Sequence, residues 1–355
     1  MSVQNGGAGN NPLDLDGIEF IEFSSLTPSP IHGLFVALGF TNLKKHKTKK
    51  IDYYRQHEIH WLLNHQPGSF ASKFFELHGP SISAMGWRVK NAKQAQKQAG
   101  ERGARVCDRG DYADRAGNPI PAIYGVGDSL IYFIDNYEGG SCYDRMGFES
   151  LCKDGTSVTT RGFVSIDHLT NNVPQGTMQQ WADFYKNVFG FTEVRYFDIK
   201  GEKTGLTSYA LRSPCGKFCI PINEGKEDKS QINEYLKDYH GAGIQHVALL
   251  TNDILKSLKS LESAKVKMLD VEPEYYQEVF HRVPNVTEDK KEIQKYGVLI
   301  DGDEDGYLLQ IFTKNLIGPI FFEIIQRKNY FSFGEGNFGA LFRSIERDQE
   351  RRGAL

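Results

Sequence analysis

Three polar residues interrupt runs that otherwise read as buried strands. His168 sits in "VSIDHLT", His246 in "AGIQHVALL" and Glu323 in "FFEII". In an extended chain alternate side chains share a face. His168 therefore groups with Val164 and Ile166, His246 with Ile244, Ala248 and Leu250, and Glu323 with Phe321 and Ile325. A carboxylate buried without a partner costs several kcal/mol, so Glu323 must face something that compensates it. Taken singly, each residue has an ordinary explanation. A core histidine can be satisfied by hydrogen bonds, and a buried glutamate can pair with Arg or Lys. Taken together, two imidazoles and one carboxylate with open positions are the ligand set of non-haem Fe(II) oxygenases, with zinc as the chemical rival.

What groups the three is an internal repeat, the mark of one structural unit used twice. "ELHGPSISAMGWRVKNAKQAQKQAGERGARV" in the first half echoes "KDYHGAGIQHVALLTNDILKSLKSLESAKVKM" in the second. Aligning "GIEFIEF" with "FVSIDHL", slid by one residue, sets Phe23 against His168. Aligning "GPSISAM" with "GAGIQHV" sets Ala84 against His246, and "SLIYFID" with "PIFFEII" sets Phe133 against Glu323. At each place the second half carries a possible metal ligand and the first an apolar residue. The boundary is expected in the polar stretch "CKDGTSVTTRG", with each half able to hold two smaller β-α-β units.

The elements that would position these residues are short strands mixed with a few amphipathic helices. "WADFYKNVFGF" predicts a helix with Trp181, Phe184, Tyr185 and Val188 on one stripe and Gly190 as its stop. The segment after Thr251 predicts another, with Ile254, Leu255, Leu258 and Leu261 on one face and Asn252 or Asp253 as cap. "TSYALRS" and "KFCIPINEG" read as paired strands. In "FGEGNFGALFRSIERDQERR" a loop leads into a helix, with Asn337 as the expected N-cap.

Composition narrows the class. The 355 residues carry a net charge of -3, with 39% hydrophobic and 25% charged residues, as in an ordinary globular protein. That charge argues against a general nucleic-acid or membrane-surface binder, and no apolar run approaches the roughly 18 residues of a membrane span. The polar start "MSVQNGGAGNNP" lacks the segments of a secretory signal, so a flexible lead-in and a cytoplasmic location are expected. The five cysteines (107, 142, 152, 215 and 219) form no C-x-x-C pattern and are expected to be free thiols. His57, His60 and His65 are expected as surface or strand-edge features.

At the candidate ligands the chain becomes recognisable. "SIDHLT", "GLTSYALRS", "IPINEG", "KSQINEYL", "GAGIQHVAL", "LLQIFTK", "FFEIIQR" and "FGEGNF" together resemble the bacterial 4-hydroxyphenylpyruvate dioxygenases of the vicinal-oxygen-chelate superfamily. The resemblance runs from about residue 12 to 350 and is densest from 160 to 340. It implies an α+β fold of tandem βαβββ modules, in two domains that are each an open β-barrel flanked by helices. Residues 1–11 would be the lead-in, 12–152 a domain without metal ligands, and 153–355 the catalytic domain with a C-terminal gating helix. One Fe(II) per subunit would sit on His168, His246 and Glu323. The family converts 4-hydroxyphenylpyruvate and O2 to homogentisate and CO2 in tyrosine and phenylalanine degradation. The substrate supplies its own 2-oxo acid.

The resemblance also implies the pocket. Phe312, Phe321, Phe333 and Phe338 match its aromatic wall, and Ser208, Asn223, Gln231, Gln245 and Gln310 its polar positions. Gln245 alternates away from His246 in an ideal strand. Gln310 is an amide inside "YLLQIF" that needs a partner. Asn337 and Phe338 would belong to the gate. The expected partners are the substrate and O2, in a homo-oligomer, with no nucleic acid and no membrane. Three alternatives stay open: hydroxymandelate synthase with the same site, an extradiol-type ring-cleaving dioxygenase, and a non-catalytic binding protein of the same fold.

Overall fold

The computed structural model describes residues 11–151, 159–201 and 203–353. All but the last residue of the expected lead-in lies outside the described residues, as does most of the expected boundary stretch with Cys152. Two mixed sheets carry the chain, one of nine strands between Leu15 and Ser150 and one of eight between Phe163 and Lys328. The second is two βαβββ units in tandem. Strand Phe163–Val173 and helix Met178–Phe189 precede strands Thr192–Lys200, Gly205–Arg212 and Cys219–Gly225. Strand Gly243–Thr251 and helix Ile254–Leu261 then precede strands Leu299–Gly302, Tyr307–Phe312 and Phe321–Lys328. The sheet curls into an open trough, and the helix Phe338–Arg352 lies across it. No helix among the described residues is long and apolar enough to cross a membrane.

Local signals explain the elements. The 178–189 helix buries Tyr185 and Val188 and ends where Gly190 turns left-handed (φ 78°), a conformation that favours glycine. Asp253 settles the cap of the 254–261 helix: its side chain accepts from the Lys256 N–H. An apolar layer between the two sheets joins them, with Phe322 of the second 5.5 Å from Trp61 of the first. Each sheet's other face lines its own trough.

The register corrects the repeat. In the second sheet His168 pairs with Ala248, which pairs with Glu323. One row along, Thr170 pairs with His246, which pairs with Phe321. In the first sheet the matching rows are Phe20–Gly86–Tyr132 and Glu22–Ala84–Leu130. The counterparts of His168, His246 and Glu323 are thus Phe20, Ala84 and Tyr132. Ala84 is as expected, whereas Phe23 and Phe133 are not, and both lie in the layer between the sheets. Both strands carry the same bulge, between Ile18 and Phe20 and between Ile166 and His168, so the ladders correspond without a gap. The expected match is offset by three residues in the first strand and by one at Phe133. The first trough is filled where the second is open: the Phe20 and Tyr132 rings lie 6.1 Å apart. Gly86 is required there, because a Cβ would fall 2.4 Å from the Phe20 ring.

His60 is also a correction. Strand Ile59–Asn64 lies inside the first sheet, and His60 is buried, with Nδ1 2.9 Å from both Glu19 and the Tyr143 hydroxyl. His57 is exposed as expected, and His65 is half-buried against Asp52.

The first trough also holds a buried carboxylate pair. Glu22 accepts from Ser83 (2.7 Å), Asn64 (3.1 Å) and the Tyr112 hydroxyl. Asp111 accepts from the Phe70 and Ala71 N–H groups at the start of helix Phe70–His78. Burial, and then the charge of Asp111, push the Glu22 carboxyl up to about 7. A raised carboxyl stabilises the fold fully below its unfolded value near 4.5, and the contribution is lost as pH rises through 7. Unfolding measurements are therefore expected to lose roughly 2–3 kcal/mol from this group between about pH 5 and pH 8. Glu22→Gln should flatten that slope; the wild-type slope persisting in the variant would refute the assignment.

Candidate metal centre and pocket

His168, Ala248 and Glu323 stand in one row across three adjacent strands, with His246 one row away on the middle strand. Ala248, between the outer two, is small enough to leave the space above it free. The ladder between the two histidine strands is interrupted twice. It steps from Ile166–Leu249 to His168–Ala248, so Asp167 is an extra residue on one strand. It steps from Thr170–His246 to Asn171–Ile244, so Gln245 is an extra residue on the other. A bulge re-aims side chains that strict alternation would separate. Asp167 Oδ1 accordingly accepts from His168 Nδ1 at 2.8 Å, and Gln245 Oε1 from His246 Nδ1 at 3.0 Å. Each histidine is oriented by the residue before it, which explains how Gln245 reaches the site.

With both Nδ1 atoms engaged, the Nε2 atoms turn to the carboxylate. Glu323 Oε2 lies 3.1 Å from His168 Nε2 and 3.6 Å from His246 Nε2. One donor atom from each of the three lies within 4.8 Å of the others. Two ligands about 2.1 Å from an ion, at right angles, are about 3 Å apart, so this donor set fits a metal ion. The electrostatics agree. Burial lowers the His168 imidazolium, but Glu323 and Asp167 outweigh it and push the group up to about 9. Burial, then the charge of His168, hold His246 well below the usual imidazole range. The junction calls for positive charge, which a bound cation would supply. Burial would raise Asp167, but hydrogen bonds and charge from Arg327 and His168 hold it well below the usual carboxylate range.

These groups form one end of a cavity of about 660 Å³, part of it open to solvent. Ser208, Asn223 and Gln231 line it from the first βαβββ unit and the helix that follows. Gln245, Gln310, Phe312 and Phe321 line it from the second, and Phe333 and Phe338 from the C-terminal segment. Phe321 stacks on His246 (centroids 4.7 Å, planes 17° apart), and Phe333 meets His168 edge-on at 5.6 Å. Gln310 Oε1 is buried with no partner among the described residues. Gly334 (φ +79°) rests on that amide, and a Cβ there would lie 2.7 Å from its nitrogen and oxygen.

Asn337 departs from expectation. It does not line the cavity, its backbone is helical, and its side chain caps nothing. Instead its Oδ1 accepts from the Tyr275 hydroxyl (2.6 Å) and Arg282 (3.2 Å), which fixes the start of the last helix to the body. Sequence reasoning also missed Asp167, Thr170, Phe197 and Arg327. Thr170 Oγ1 is 3.1 Å from His246 Nε2, and Phe197 packs on Phe338 at 5.2 Å. For Asp167 a signal existed: a carboxylate directly before a candidate ligand histidine.

Curled mixed sheets of tandem βαβββ units, with a His-His-Glu cluster inside one, define a metal-dependent enzyme class of the glyoxalase type. The model of the glyoxalase/bleomycin resistance protein/dioxygenase superfamily matches residues 165–311, and that of the hydroxyphenylpyruvate dioxygenase N-terminal domain matches residues 9–149. The chain belongs to the 4-hydroxyphenylpyruvate dioxygenase family. It is 45% identical over 351 residues to 4-hydroxyphenylpyruvate dioxygenase of Pseudomonas aeruginosa, covering 98% of both chains. It is 56% identical to protein MelA of Shewanella colwelliana, over 97% of this chain and 99% of that one. Among solved structures it resembles a xylose isomerase-like TIM barrel/4-hydroxyphenylpyruvate dioxygenase fusion protein (31% identity, TM-score 0.80, 95% of this chain and 53% of that one). A variant of 4-hydroxymandelate synthase from Streptomyces coelicolor shares the fold (23% identity, TM-score 0.82, 95% of this chain and 99% of that one).

Proposed function

We propose that His168, His246 and Glu323 hold one Fe(II) per subunit, and that the cavity beside them takes 4-hydroxyphenylpyruvate for conversion with O2 to homogentisate and CO2. The observation that carries this reading is the convergence of two Nε2 atoms on one carboxylate oxygen while both Nδ1 atoms are tied up. Fe(II) bound there supplies chelation of the 2-oxo acid and activation of O2. The chain supplies the rest. Asp167 and Gln245 fix the two imidazoles with Nε2 inward. Phe312, Phe321, Phe333 and Phe338 give the aromatic ring an apolar, water-poor wall. Ser208, Asn223, Gln231 and Gln310 are neutral hydrogen-bonding groups, suited to a phenol that need not ionise to be held. The reading includes the 12–152 half as a domain with no metal ligands among its described residues, and a cytoplasmic homo-oligomer, whose subunit number size-exclusion chromatography with light scattering tests.

The test is anaerobic Fe(II) loading, then addition of 4-hydroxyphenylpyruvate, then O2 with identification of the product. A weak visible charge-transfer band followed by homogentisate is expected. Hydroxymandelate instead would keep the site and change the reaction. No band in iron-loaded protein would overturn the pocket assignment.

A further inference from the structure

Glu323 shares its face with a second charged residue. Along strand Phe321–Lys328 the trough side carries Phe321, Glu323, Ile325 and Arg327. The Arg327 side chain is only 12% exposed. Its Nε and Nη2 grip Asp167 in two parallel bonds of 2.7 and 2.8 Å, and Asp167 in turn holds His168. The third nitrogen, Nη1, points elsewhere: it donates to the backbone carbonyls of Ser332 (2.6 Å) and Tyr330 (3.2 Å). Those carbonyls belong to the segment that carries Phe333 and Gly334 over the site and leads into the last helix. The Phe333 ring lies between the two systems, 6.0 Å from the guanidinium and 5.6 Å from the His168 ring.

We propose that Arg327 is a positioning residue that locks a metal-ligand histidine and the 330–334 approach to the covering helix into one unit, so that metal occupancy and closure of the site favour each other. The proposal rests on the metal reading above. The chemistry favours arginine. A planar fork can bind a carboxylate with two N–H groups while a third serves carbonyls on another segment, whereas a lysine ammonium cannot span both. If the segment lifts, Nη1 loses the carbonyls of Tyr330 and Ser332, and a buried guanidinium N–H left without an acceptor is costly, so the fork turns toward water and loosens its grip on Asp167. Such coupling is reciprocal: whatever factor the metal gives to closure, closure gives to the metal.

The experiment uses the full chain, metal-free and loaded with Co(II), whose visible spectrum reports occupancy. It reads hydrogen exchange and limited proteolysis across residues 329–337. Wild-type protein is expected to be protected there on loading by a factor of about 5 to 150. Arg327→Lys should still take up Co(II) but lose most of that metal-dependent ratio. A role in general stability alone would lower protection equally with and without metal, and so leave the ratio unchanged. The wild-type comparison needs no variant: stoichiometric Co(II) uptake without added protection overturns the coupling while the metal site stands. The same ratio in wild type and Arg327→Lys also overturns it. No Co(II) uptake by wild type would overturn the metal reading and the coupling with it.

Discussion

Glu323→Ala is expected to abolish stoichiometric iron binding and turnover while the protein stays folded, and His168→Ala and His246→Ala should do the same. Loss of a group that only supports a ligand costs roughly 10–100-fold in metal affinity, so loss of a ligand from a set of three should exceed about 100-fold. The fold does not depend on these side chains. The Glu323 strand is paired on both sides, with Gly243–Thr251 and with Tyr307–Phe312, and its opposite face is buried in the layer between the sheets. Without metal, the three groups form a compact buried charge cluster, the kind of local arrangement that serves function rather than stability. Metal analysis of dialysed protein, with circular dichroism as the folding control, decides it. Full occupancy or full activity in any one of the three variants would refute the assignment.

The three proposed ligands are legible because each is a polar type in an apolar strand, and the row geometry brings such anomalies together on one face. What stands around them was less legible, and the reason is physical. Asp167 and Gln245 reach the site through β-bulges, and an extra residue in a ladder breaks the alternation from which facing is read. Phe23 is misplaced for a different reason. The two strands share their bulge, but their side chains are too dissimilar in sequence to fix the offset between them, and the true counterpart of His168 lies three residues earlier, at Phe20. Asn337 looked like a helix cap from its type and position. Its tertiary partners Tyr275 and Arg282 claim the oxygen instead, and nothing near it in sequence announces them. Arg327 ended a recognisable stretch, yet its partners Asp167, Tyr330 and Ser332 are visible only once the strands are folded.

Truncation before Gly334 should leave a protein that still takes up metal but no longer couples O2 consumption to product. All three proposed ligands precede the cut, whereas Phe338, Leu341, Phe342 and Ile345, which form one wall of the cavity, follow it. With that wall gone water enters, and the substrate loses the surface that holds its ring in place. Misplacement of a substrate by about 1 Å can cost about 100-fold, so kcat/KM should fall at least that far. Ionic contacts hold the helix only in part: Lys314–Asp348 (2.8 Å) and Arg352–Glu234 are half-buried and so weakly screened by salt, and the rest lie at the surface. Arg351–Asp270 is largely exposed at both ends, and Arg343 meets Glu272 at 3.2 Å near the surface. Such pairs are worth about 0.2–1 kcal/mol each. Burying a side chain such as Phe342 contributes about 1.5–3 kcal/mol, and Glu346 adds a buried attachment by accepting from the Thr204 N–H at 3.0 Å. Raised salt should therefore leave coupling in the full-length chain nearly unchanged, while Phe338→Ala should lower it part of the way toward the truncated protein. An oxygen electrode read beside product quantification measures both, and normal coupling in the truncated chain would show that the helix closes the trough without governing the chemistry inside it.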